Sequence, residues 1–111
     1  MHRVSRSWQA ALAAAAGLAI GVATTAAQAH TPLFSCYDNG DGTVLCEAGF
    51  SDGSSASGVP VRVLDAEGGV ILDEKMDGNS EFTFTKPDGD FSVLMDAGEG
   101  HRIQVPAADI Y

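Results

Sequence analysis

Glu81-Phe82-Thr83-Phe84-Thr85, then Lys86-Pro87-Asp88-Gly89, then Asp90-Phe91-Ser92-Val93-Leu94-Met95-Asp96 is the stretch that decides the fold. In its first part Phe82 and Phe84 alternate with polar neighbours. In its last part Phe91, Val93 and Met95 form one set of alternate positions. Side chains in a strand point to opposite faces with period two, so each part reads as a strand with one buried face. Pro87-Asp88-Gly89 supplies the turn chemistry between them. Working outward, the same grammar recurs. Runs rich in Val, Ile, Phe and Thr cover 33–38, 43–50, 59–65, 70–75 and 102–106. They are punctuated by Asn39-Gly40-Asp41-Gly42, the Ser/Gly-rich stretch 51–58, Glu67-Gly68-Gly69, Asp77-Gly78-Asn79 and Gly98-Glu99-Gly100. Within 59–65, Val59, Val61 and Val63 face one way. No long window holds a 3.6-residue period. Seven short strands in about 80 residues predict an all-β domain, a seven-stranded antiparallel β-sandwich of transthyretin-like or immunoglobulin-like type.

The chain has 111 residues, enough for one such domain. Its first 29 residues are of a different kind: Arg3 and Arg6 are their only charges, Ala dominates residues 10–27, and Ala27-Gln28-Ala29 closes the stretch. A positive start, an apolar middle and a small-residue site are the marks of a secretory signal peptide cleaved after Ala29. The Ala-rich run is short for a membrane span, and no second apolar stretch follows, so a periplasmic or secreted domain over 30–111 without a membrane span is expected. All 15 acidic residues fall in that portion against four basic ones, Arg62, Lys75, Lys86 and Arg102, for a net charge of −11. A domain so acidic repels phosphate backbones and anionic lipid and attracts cations, which excludes nucleic acid as a partner.

The two cysteines, Cys36 and Cys46, sit on the two arms of the first expected hairpin, about the 39–42 turn. An even count in an exported chain favours a disulfide, and a domain this small gains from a covalent staple. Cleavage after Ala29 would make His30 the mature N-terminus. Its free amine and its imidazole have ordinary pKa values of about 7.7–8 and 6.5, so a metal can displace both protons near neutral pH and close a chelate ring.

If each connection reverses the chain, odd-numbered strands run one way, and the starts of the first and seventh lie at the same end. His30 precedes the first and His101 the seventh, while the loops carrying Asp52, Met76 with Asp77, and Asp96 with Glu99 come to that end as well. With the first and last strands adjacent, the two histidines of the mature chain would share one ion. The candidate ligands are His30, His101 and a carboxylate from Asp96 or Glu99, a nitrogen–oxygen set suited to Ni(II), Co(II), Cu(II) or Zn(II). Met95 reads as core, so a soft Cu(I) site is disfavoured. Asp38-Asn39-Gly40-Asp41-Gly42 lacks the spacing and the position-twelve Glu of a calcium loop and reads as a hairpin turn. Residues 51–57 hold several serines but no His/Asp partner at a meaningful spacing, and read as a flexible loop.

Gly49-Phe50-Ser51-Asp52-Gly53-Ser54, Gly58-Val59-Pro60-Val61-Arg62-Val63-Leu64-Asp65 and Glu81-Phe82-Thr83-Phe84 resemble the carboxypeptidase-regulatory-like (transthyretin-like) sandwich modules. The N-terminal His together with Asp96-Ala97-Gly98-Glu99-Gly100-His101-Arg102 is similar to a narrower group, the small extracytoplasmic components of energy-coupling-factor-type nickel and cobalt uptake systems. That resemblance implies a non-enzymatic periplasmic protein that binds Ni(II) or Co(II) through His30 and His101 and works with membrane metal transporter components. The cysteine pair departs from the group. Rival expectations are a structural or adhesion-type sandwich with no metal and a Cu(II)-handling protein, the latter including an oxidative enzyme built on the two histidines.

Overall fold

The computed structural model describes residues 31–111. The leader and His30 lie outside the described residues. Seven strands follow in order: β1 Pro32–Asp38, β2 Thr43–Phe50, β3 Pro60–Asp65, β4 Val70–Lys75, β5 Glu81–Thr85, β6 Phe91–Asp96 and β7 Arg102–Pro106, with a short 3-10 turn at Ala107–Asp109. They form a three-stranded sheet, β1-β2-β5, and a four-stranded sheet, β4-β3-β6-β7, with every paired neighbour antiparallel. The architecture is the expected all-β, seven-stranded sandwich. Among the described residues no helix is long and apolar enough to cross a membrane.

Residues 81–96 do not form a hairpin of their own. β5 lies beside β2 in the smaller sheet, whereas β6 lies between β3 and β7 in the larger. The apolar alternation nevertheless falls as the sequence requires. Val61, Val63, Phe82, Phe84, Phe91, Val93 and Met95 are all buried, together with Val44, Met76 and the two cysteines. Phe84 stacks on Phe82 at 5.4 Å and meets Phe91 edge-on at 5.9 Å, so one aromatic chain links the two sheets through the core. Cys36 and Cys46 are directly opposed in the β1–β2 register and joined by a disulfide, with Cα atoms 4.0 Å apart.

The turns are organised by aspartates. Asp38 Oδ1 accepts the Gly40 N–H, and Asp41 Oδ1 accepts the Thr43 N–H and hydroxyl, so residues 38–42 form a bracketed hairpin turn. Asp65 Oδ1 receives the N–H groups of Glu67 and Gly69 at the β3–β4 turn. A Cβ at Gly69 would lie 2.7 Å from Asp65 Oδ2, which is why the turn has no side chain there. The β3–β4 register slips between Val63 and Leu64, because Val63 opposes Leu72 while Leu64 opposes Val70. Ile71 is the extra residue of a bulge, and both Val70 and Ile71 are exposed.

Candidate metal centre

One end of the sandwich gathers the start of β1, the start of β7 and the loops after β2, β4 and β6. β1 and β7 are the outer strands of their sheets, and they lie against each other across a groove lined by Phe34, Tyr37, Gln104 and Tyr111. The Asp38 N–H at the far end of β1 donates to the Tyr111 carbonyl beyond β7 at 3.2 Å, so the two strands run in the same direction. Their first residues, Pro32 and Arg102, therefore sit at the same end.

The loops after β2 and β4 are built tightly. Ser51 donates its N–H to the Thr31 carbonyl at 2.8 Å, and its hydroxyl accepts the Thr31 N–H at 3.1 Å, tying the chain just before β1 to the loop after β2. Asp52 Oδ1 accepts the N–H and hydroxyl of Ser54. Ala56 is fully buried and donates its N–H to Ser80 Oγ, which also pairs with Ser55 Oγ. Residues 51–57, expected to be a flexible stretch, are thus a packed loop clamped to the next one, because Ser80 reaches across from a left-handed backbone position with φ of 60°. Asp77 Oδ1 accepts the N–H groups of Asn79 and Glu81. Met76 is core, not rim.

The end of β6 and its connection to β7 carry three of the four expected ligands, Asp96, Glu99 and His101. The connection is a tight loop in which Ala97 N–H donates to the His101 carbonyl and His101 N–H to the Gly98 carbonyl, with Gly98 at φ 113° and Gly100 at φ 77°, conformations that L side chains rarely adopt. His101 is exposed, and its Nδ1 lies 3.0 Å from the Glu99 carbonyl oxygen. A carbonyl only accepts, so this contact is one in which Nδ1–H donates, and Nε2 is the ring nitrogen that points away from it. A backbone carbonyl bonded to the far ring nitrogen is the arrangement that orients metal-binding imidazoles. Glu99 is exposed beside it.

Asp96 is placed differently from an open ligand. Its Oδ1 accepts from Arg102 Nε at 3.0 Å and from the Gly98 N–H at 3.1 Å, and its Oδ2 faces Arg62 Nη1 at 3.5 Å. The Arg102 contact first, and the Gly98 N–H second, hold its carboxyl below the usual range. Arg62 in turn faces Asp73 at 3.4 Å. Asp73, Arg62, Asp96 and Arg102 therefore form a ladder of alternating sign across β4, β3, β6 and β7, which fixes the base of the His101 loop. Sequence reading found Asp96 but missed both arginines. The outward phase of Arg62 was visible, but its neighbours were not, because the β4-β3-β6-β7 order is not written in any local pattern.

The structure thus places His101 and Glu99 in the β6–β7 loop and Asp96 at the end of β6 beneath it, at the end where β1 begins. Among the described residues no group of three or more His, Cys, Asp or Glu side chains converges on a common point. The fourth expected ligand, His30, lies outside the described residues. No protein-family model, curated protein or solved structure matches the chain.

Proposed function

We propose that the chain is an exported, non-enzymatic accessory protein that takes up Ni(II) or Co(II) as cargo in the periplasm and passes it to a membrane transporter. The observation that carries this reading is His101: its Nδ1 lies 3.0 Å from the Glu99 carbonyl oxygen, and the exposed ring stands at the end where the mature chain would begin. The next residue in sequence after His30 is Thr31, which is doubly tethered to Ser51 at that same end. The amine and imidazole of His30 and the Nε2 of His101 make a three-nitrogen set, with the Glu99 carboxylate or water completing it. Asp96 keeps its arginines and acts by holding the loop. Few protein donors favour exchangeable metal, and the acidic surface raises the local concentration of divalent cations.

Calorimetric titration of protein processed after Ala29 tests the idea, with intact mass establishing its first residue. Saturable Ni(II) or Co(II) binding is expected, weakened strongly by His101→Ala and by one extra residue placed before His30. Unchanged affinity in either variant overturns the two-histidine site. A ligand-free structural sandwich is the second reading, favoured by the engagement of Asp52, Asp77 and Asp96 within their own loops. It predicts no heat with any divalent ion. Exclusive response to Cu(II) would move the assignment to copper handling, since affinity order alone favours that ion.

A further inference from the structure

The outer face of the three-stranded sheet sets two carboxylates side by side. Glu47 on β2 and Glu81 on β5 are Cα partners, and both lie in the outward phase of their strands. Directly opposed like charges destabilise a sheet. Among the described residues neither carboxylate has an ion-pair partner, and the strands β1, β2 and β5 contain no Lys or Arg. Beside the pair, β1 exposes Leu33 (52%) and Tyr37 (41%) on the same face, with the small Ser35 between them. Ser35 opposes Glu47, and Gly49, with no side chain, opposes Leu33. The result is an open cleft of about 230 Å³ between Leu33 and Tyr37 that reaches Glu47, with Glu81 one strand further on as the partner of Glu47.

We infer that this face docks a basic, extended segment of a partner protein, with one arginine or lysine seated between Leu33 and Tyr37 and its charged head on Glu47 and Glu81. The fit is one of charge and shape together. The methylenes of a long basic side chain cover apolar walls while its head stays at the carboxylates, and the Tyr37 ring adds a cation–π surface. A cation between the two glutamates turns a repulsive pair into two attractive ones. The net charge of −11 over residues 30–111 steers basic partners inward and turns anionic lipid away. The inference is independent of the metal reading and is tested on metal-free protein.

The probe is a capped synthetic heptapeptide of alternating arginine and valine, titrated into isotope-labelled protein while backbone amide resonances are followed. Saturable shifts concentrated on residues 33–37, 45–49 and 81–85 are expected. Affinity is expected to fall about tenfold in the double variant Glu47→Gln/Glu81→Gln. It should stay within about twofold in the charge-matched control Glu67→Gln/Asp88→Asn, whose residues sit on exposed turns elsewhere. An equal loss in both double variants would reduce the effect to the general acidic field and overturn the proposal. So would shifts centred on the β6–β7 loop, or no saturation.

Discussion

The two outer faces of the sandwich solve the same electrostatic problem in opposite ways. On the four-stranded sheet, Asp73, Arg62, Asp96 and Arg102 alternate in sign from edge to edge, and Gln104 donates to Ser92 Oγ at 2.8 Å beside them. On the three-stranded sheet, two glutamates face each other with no basic residue in any strand, and the sheet is held instead by a disulfide behind its outer strand. The first face is satisfied within the molecule. The second is stable by covalent and core contacts while its surface charge stays unspent, which is the condition of a surface available to something else. The difference teaches that the two sheets are held by different means, alternating surface charge in one and a covalent staple in the other.

Several substitutions would break or sharpen this contrast. The largest effect is expected at the link the two sheets share: Phe84→Ala should cost about 3–5 kcal/mol in chemical denaturation, because Phe84 touches Phe82 in its own sheet and Phe91 in the other. Reducing the Cys36–Cys46 bridge should cost about 2–3 kcal/mol by restoring the freedom of an unfolded loop of sequence separation 10. If reduction left stability unchanged, the smaller sheet would not depend on its staple. Next comes acid. The carboxyl of Asp96 is held low by Arg102 and the Gly98 N–H, so its contribution is fully present above the unfolded value of about 3.9 and is lost as pH falls through the lower folded value. Asp96→Asn should therefore lose stability at neutral pH and show a shallower acid decline, read from denaturant midpoints between about pH 2 and 6. The smallest effect has the opposite sign. Glu47→Gln removes one of two opposed like charges and should stabilise by a few tenths of a kcal/mol, about 0.2–0.5, diminishing with salt.

Much of this was legible in the chain. The inward sets Phe82/Phe84, Phe91/Val93/Met95 and Val61/Val63 were readable because burial of one face imposes a period of two, and the cysteine pair was readable because its spacing matches two arms of a hairpin. The shared direction of β1 and β7 followed from strict reversal at each loop. The β4 bulge was not readable: Val70-Ile71-Leu72 is an apolar run whose slip depends on the Asp65 turn locking its own geometry. The packing of Ala56 under Ser80 was hidden for a similar reason, since a Ser/Gly-rich stretch looks unstructured until a hydroxyl from another loop receives its N–H. Among the candidate ligands, His101 and Glu99 stand at the expected end, and the clamp on Asp96 depends on strands that are far apart in sequence.

The slip at Ile71 has a consequence for how the molecule behaves in a crowd. A straight outermost strand with free amides is an invitation to polymerise, each copy extending the last. The extra residue throws that margin out of step, and Asp73, Glu74 and Lys75 place charge where an incoming chain would have to lie. Removing Ile71 would realign the margin and leave those three charges as its remaining guard against a neighbouring copy.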